Sequence, residues 1–370
     1  MFRKELLLIA FACYYSCSNL SRNQNSKNLH WFKETYSIPD SILNGVVDYY
    51  ITSKSSEVRN PILLTLSSNG KIKVFNPKTN TIDLETLDTL YQPYRIVATN
   101  ANQFVVEGKH GFNVYEEAKA KRYISKSFAP ESVHIEERFP FEYNFKTKYL
   151  VVRLLDFREK QKRNYTMDHN IVGIIDSLGT MHTLDYKVSK GYGDGKLVET
   201  EAYFTISKDN ILHVSLSQSD TTIAVSLNQK MGIQYTHWGK HFKLSDFTQP
   251  KKTDPMGLYY NRVENAHSYS YGKTFSLIVN DGTAISTRFL FLPKYSLEQD
   301  LIDLVSHPIK LLATDSDGNS LDPLILPGNL YGNLDKWYSI ERGLCHLNFI
   351  NAENTVGNKV YLDVLMPLYY

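Results

Sequence analysis

The strongest constraint on this chain is a cadence: short runs rich in Val, Ile, Leu, Tyr and Phe recur along it, each stopped by Gly, Asn or Asp. Such runs read as strands, and almost no stretch repeats apolar residues at the spacing of an amphipathic helix. Ile62-Leu-Leu-Thr-Leu66 and Lys71-Ile-Lys-Val-Phe75 flank Ser67-Ser-Asn-Gly70, a hairpin in which Asn69-Gly70 is expected to supply positive φ angles. The pattern returns at 103–115, 171–187, 202–227 and 274–292, and a last group takes 311–314, 344–350 and 360–365. Strand groups about 45 to 60 residues apart have the period of propeller blades, small sheets that cannot bury their own faces and so stack around an axis. The expected fold is therefore all-β: a six-bladed β-propeller of four-stranded antiparallel blades. A ring of this kind closes with strands from both chain ends, and Val46–Ile51 is the expected partner of Val360–Leu365. The stretches Phe128–Lys148 and Phe242–Asn265 fit no blade, which leaves a seven-bladed ring or a pair of sandwiches as alternatives.

The N-terminal end speaks to location. Arg3 and Lys4 precede a short apolar run, and Ser16 stands before Cys17. That run is too short for a membrane span, which needs roughly 20 apolar residues, so 1–16 reads as an export signal. A cysteine directly after the cut resembles the lipobox of bacterial lipoproteins, which implies diacylglycerol on the Cys17 thiol and a further acyl chain on its amine. Two or more chains anchor stably where one does not. Tyr14 and Tyr15 depart from the usual box, and Cys13 is a second candidate. Residues 17–30 are polar, with too little apolar surface to repay ordering, and read as a flexible tether before a single propeller domain at 31–370. With no acidic run after Cys17, the expected location is the cell envelope, at the outer membrane and facing the periplasm.

A formal net charge of +2 without a long basic block argues against nucleic-acid binding, which draws its affinity from clustered cations. Of three cysteines, only Cys345 stays a free thiol if Cys17 is acylated and Cys13 leaves with the signal. Stability must then come from the core, to which 26 Tyr and 18 Phe bring large buried area.

Reactive patterns are sparse. His237-Trp-Gly-Lys-His241 has the spacing of a helical metal pair but lacks the intervening Glu, and Gly239 favours a loop. Asp315-Ser-Asp-Gly-Asn319 resembles the start of a calcium loop without its later ligands, so a hairpin turn is the simpler reading. Gly191-Tyr-Gly-Asp-Gly195 lacks the Lys-Ser/Thr of a phosphate loop and reads as a blade connection carrying Tyr192 and Asp194. Tyr269 and Tyr271, near His267, could line a mouth, although strand alternation places them between blades. Asp40-Ser, Asp88-Thr, Asp176-Ser and Asp220-Thr, each followed by an apolar residue or Thr, resemble a short acceptor for O-glycosylation of exported proteins. No nucleophile elbow and no carboxylate pair is present. No catalytic residue, metal or cofactor is expected; Tyr192, Asp194, His237, His241 and His267 are the candidate ligand-binding residues.

In layout the chain resembles the lipid-anchored six-bladed β-propeller proteins of unknown function from Gram-negative bacteria. The resemblance is carried best by Leu311-Leu-Ala-Thr-Asp-Ser-Asp-Gly-Asn319, Leu324-Ile-Leu-Pro327, Trp337-Tyr-Ser-Ile-Glu-Arg-Gly343 and Leu344-Cys-His-Leu-Asn348, taken together as the last blade. It implies a propeller and no particular catalytic residue. The functional expectation is a membrane-tethered, non-catalytic binding or scaffold module for a protein, peptide or glycan; the alternative is an extracytoplasmic hydrolase or lyase with its site in the central funnel.

Overall fold

The computed structural model describes residues 28–53, 60–128, 133–135, 137, 139–156, 172–184, 202–216, 219–228, 233–238, 270–291, 294–296, 301–303, 308–327, 334–340, 342–350 and 359–369. Strand β1 (Leu29–Ile38) and one helical turn (Asp40–Leu43) precede the first four-stranded group, β2 (Val46–Ser53), β3 (Pro61–Ser67), β4 (Lys71–Asn76) and β5 (Thr81–Leu87). The second group is β6 (Pro93–Asn100), β7 (Gln103–Gly108), β8 (Gly111–Glu116) and β9 (Lys119–Ser125). In the third, β10 (Val133–Ile135) and β11 (Glu142–Asn144) both pair with β12 (Tyr149–Asp156), followed by β13 (Val172–Ile175) and β14 (Met181–Leu184). The fourth holds β15 (Ala202–Ile206), β16 (Ile211–Leu216), β17 (Thr221–Ser226) and β18 (Ile233–His237). The fifth joins β19 (Ser270–Ile278) and β20 (Ala284–Phe291), across a small hairpin of β21 (Lys294–Ser296) and β22 (Leu301–Asp303), to β23 (Ile309–Thr314) and β24 (Ser320–Leu326). The last contains β25 (Tyr338–Ile340), β26 (Gly343–Ile350) and β27 (Lys359–Tyr369), with β1 as its fourth strand.

Pairing within every group is antiparallel. The first strands of neighbouring groups lie side by side and parallel where Ser53 meets Asn100. Later strands step outward, so β5 is largely exposed whereas β3 is almost wholly buried.

Apolar clusters join each group to the next. Ile62, Leu64 and Leu66 of the first pack on Ile96, Phe104 and Val106 of the second. Val105 and Phe112 then pack on Leu150 and Val152 of the third. One cluster runs from Val151 and Val172 through Phe204 and Val214 to Tyr271 and Leu290. Another joins Phe275 and Phe289 to Trp337 and Leu344, and the last returns from Cys345, Leu347 and Leu362 to Ile51, Leu63 and Phe75. This circuit of sheet-on-sheet contacts is a β-propeller. It also explains the continuous apolar runs: in β3, Leu64 faces the second group while Leu63 faces the last, so both strand faces need hydrophobic residues.

The ring closes between the chain ends, but through a different strand from the expected one. Strand β1 pairs with β27 over ten residues, from Leu29↔Tyr369 to Ile38↔Val360, whereas Val46–Ile51 lies in β2 as the innermost strand of the first group. The charged alternation of β1 hid it, because an outermost strand keeps much of its surface in water. Leu29 and His30, assigned to the tether, are strand residues. The run 311–319 belongs to the fifth group and 337–348 to the sixth; the interposed hairpin β21–β22 displaces β23 along the chain, so spacing alone merged them. At the first hairpin only Gly70 has a positive φ, +82°, while the Asn69 side chain accepts the Lys71 N–H at 3.1 Å.

Asp363 ties the closure together. It is buried on β27, accepts from Thr35 Oγ1 of β1 at 2.6 Å and from Asn348 Nδ2 of β26, and pairs with Lys33 Nζ at 2.7 Å. Removing one partner from such a buried group leaves the others unsatisfied. Asp363→Ala should lower the unfolding free energy by about 3 kcal/mol, seen as a reduced urea midpoint at unchanged slope. Gly70→Ala should cost about 2 kcal/mol by the same measurement, because its Cβ would sit 2.4 Å from the Asp88 carbonyl oxygen at a strained φ.

Candidate functional site

The inner strands of the groups converge on the axis and bring charge there. Asp48, Tyr49 and Tyr50 come from β2, Arg95 from β6, Glu142 from β11 and Lys273 from β19. Asp335 and Lys336 lie on the 3-10 turn Leu334–Lys336, directly ahead of Tyr338 in β25. Lys336 Nζ pairs with Asp48 Oδ1, and the other Asp48 oxygen accepts the Ile96 N–H at 2.9 Å. Arg95 Nη2 donates to Asp335 Oδ2 at 2.8 Å, and the Tyr338 hydroxyl donates to the Tyr49 carbonyl at 2.7 Å. Burial alone would raise the Asp335 carboxyl, but Lys273, Arg95 and Lys336 hold it at about 2. Together these ionic contacts form a plug across the axis.

A cavity of about 750 Å³ lies along the axis, lined by residues from each of the six described groups near the C-terminal ends of their inner strands. Tyr50, Glu142, Lys273 and Tyr338 form its buried end next to the plug; Thr99, Lys146, Lys208 and Asp209 are exposed at its mouth. Burial pushes Glu142 up to about 7, against the pull of Lys273 and of the Tyr50 hydroxyl, which donates to Glu142 Oε1 at 3.5 Å. Burial likewise lowers Lys273, with Asp335 and Glu142 opposing. The Lys273 ammonium lies 5.0 Å from the Tyr338 ring centre, and its one hydrogen bond among the described residues is to the Trp337 carbonyl at 3.5 Å. The floor therefore offers an under-bonded cation and a carboxyl that exchanges its proton near neutrality.

Of the five residues expected to bind a ligand, only His237 is among the described residues. His237 ends β18, the outermost strand of the fourth group, whereas the cavity is reached by β15 at the inner end of that sheet. Tyr192, Asp194, His241, His267 and Cys17 lie outside the described residues. Asp315 does close a hairpin: its carboxylate accepts the Asp317 and Asn319 N–H groups at 2.9 and 2.8 Å, and Gly318 has φ +81°. Tyr271 is core, with the Arg288 guanidinium 4.1 Å from its ring centre. Cys345 is buried, which pushes its thiol up and leaves it a poor nucleophile. At two of the Asp-Ser/Thr motifs the carboxylate caps a turn: Asp88 accepts from the Leu90 N–H and Asp176 from those of Leu178 and Thr180. Glu142 and Lys273 escaped the sequence reading; their signal is one charge inside an aromatic-rich strand, Phe141-Glu-Tyr143 and Tyr271-Gly-Lys-Thr-Phe275.

No family model and no curated protein matches the chain. Among solved structures, a member of the DUF4221 family from Bacteroides vulgatus superposes with a TM-score of 0.65 at 10% identity, over 94% of this chain and 100% of that one. The β-propeller domain of Cps50 (Swd1) from Myceliophteria thermophila aligns with a TM-score of 0.40 at 10% identity, over 86% and 82% of the two chains. Virginiamycin B lyase from Staphylococcus aureus gives 0.39 at 8% identity, over 92% and 99%. The first likeness shows a shared fold and nothing of activity; the other two are too loose to bear on function.

The raised Glu142 makes a pH prediction. Below its ordinary value of 4.5 both folded and unfolded chains hold the proton; between 4.5 and about 7 only the unfolded chain releases it, so stability falls as pH rises, then levels off. Glu142→Gln removes this dependence. Its stability relative to the parent should grow across that window and plateau about 3 kcal/mol higher, read from urea titrations at several pH values.

Proposed function

We propose that this protein is an extracytoplasmic binding propeller, tethered to the cell-envelope membrane by acyl chains on Cys17, and that its axial cavity receives the end of a glycan or peptide ligand. The cavity carries this reading. It takes wall from every described group of the ring, its volume falls in the range of ligand sites, roughly 300–1,000 Å³, and its mouth is open to solvent at Lys208 and Ser276. The plug beneath it is internally paired, Lys336 with Asp48 and Arg95 with Asp335, as suits a rigid floor.

One observation favours a second reading, a hydrolase or lyase with its site in the funnel: Glu142, at about 7, could give and take a proton at neutral pH. Protein extracted from its native membrane should carry a ligand identifiable by mass spectrometry, and Ser339→Trp, which fills the cavity from β25, should abolish that carriage. Recovery of the ligand unchanged after prolonged incubation supports the binding module. Conversion that Glu142→Gln stops, with binding kept, supports the enzyme. Cys17→Ser should move the protein from the membrane fraction to the soluble fraction, and continued sedimentation with membranes would overturn the tether.

A further inference from the structure

Resting on that reading of the cavity, we infer that the ligand group seated on its floor is a carboxylate, carried on a hydroxyl-rich body of the sugar-acid class. Three observations converge. The floor presents the Lys273 ammonium, 5% exposed and facing the cavity, with a single hydrogen bond at 3.5 Å among the described residues. An ammonium has three donors; Asp335 and Glu142 attract this one without hydrogen-bonding to it, which leaves two N–H groups for an anionic acceptor that can reach them. Lysines also outnumber carboxylates around the cavity: Lys146, Lys208 and Lys273 face Glu142 and Asp209.

The walls supply the rest of the chemistry. Above the floor, neutral polar side chains such as Gln103 and Asn210 alternate with apolar ones such as Ile206 and Leu277, and the hydroxyls of Ser53 and Ser339 make no hydrogen bond among the described residues. Gln103 accepts through Oε1 from Asn100 at 2.9 Å, which leaves its amide N–H groups to donate to a ligand. Half-buried Phe145 offers an apolar face beside them. Hydroxyl and amide groups next to an aromatic ring suit a polyhydroxylated body, and the cation below selects its acid form.

Glu142 then acts as a proton-linked partner. Tyr50 from β2, Lys273 from β19 and Asp335 from the turn before β25 are the charged and titratable groups that act on it. A carboxylate arriving beside it raises its affinity for a proton further, and the protonated form can donate a hydrogen bond to the ligand. Binding takes up a proton and weakens as pH rises past about 7.

Three sugars that share a body and differ in charge test this: glucuronate, glucose and glucosamine, with binding followed by calorimetry and saturation-transfer NMR on the full chain. Glucuronate should bind at least about tenfold more tightly than glucose, and Lys273→Met should erase the difference. Thermal unfolding and circular dichroism verify that this variant is folded; Ser339→Trp should block all binding. If glucose or glucosamine binds as well as glucuronate and Ser339→Trp blocks it, the cavity is a ligand site but the carboxylate inference fails. Glucuronate binding that survives Lys273→Met, or strengthens as pH rises past neutrality, overturns it too. Absence of glucuronate binding at millimolar concentration overturns it outright, while the ligand carried from the native membrane separately decides whether the cavity is a site.

Discussion

The architecture rests on one constraint: each four-stranded sheet has two faces to bury and not enough of its own surface to bury either. Leu63 and Leu64 are adjacent in sequence, yet one packs toward the last group and the other toward the second. A row of such sheets would leave its two end faces wet. Joining the row into a ring removes both, at roughly 25 cal/mol per Å² of apolar surface withdrawn from water. The ten-residue pairing of β1 with β27 joins the chain ends, and Asp363 fastens β1 to β26 and β27 through Thr35 and Asn348.

Closure creates an axis, and the axis sets the chemistry. The inner strands of the groups meet around a narrow space that their side chains must fill. Near the N-terminal ends of these strands it is filled by ions that neutralise one another, with Asp48, Arg95, Asp335 and Lys336 paired. Near the C-terminal ends it is left open as the cavity. Buried ion pairs seldom add much net stability, because desolvation offsets their attraction. Their value here is geometric: a paired plug is a rigid floor, and Glu142 and Lys273 stand between that floor and the space above it.

Much of the fold could be read in advance, and the limits of that reading have physical causes. Hairpins such as Ile62–Phe75 and the Asp315–Asn319 turn follow from local chemistry: β-branched and aromatic residues for strands, an Asp or Asn side chain and a positive-φ Gly for the turn. Strand β1 carries no clear strand signal, because Lys33, Glu34 and Ser37 give it the polarity of an outer edge. The spacing of residues 311–319 points to the last group, because the β21–β22 hairpin shifts them along the chain while β23 still pairs with β20. His237, reactive by type, lies on an outermost strand, while the axis is reached by Glu142 and Lys273, each one charge in an aromatic-rich stretch that reads as core.

By itself the sequence determined the class of structure: nearly all strand, in small antiparallel groups, with a density of apolar residues that demands burial on both faces. These are local properties, set by each residue and its near neighbours. Only the tertiary structure decided which strand closes the ring, how the last strands divide between two sheets, and which charges meet at the axis. Asp48, Arg95, Glu142, Lys273 and Asp335 are scattered over most of the chain and become neighbours only when the ring is complete. Asp48, Arg95 and Glu142 follow one another at intervals of 47 residues, but Lys273 and Asp335 break that interval, so spacing in the sequence does not by itself encode the meeting.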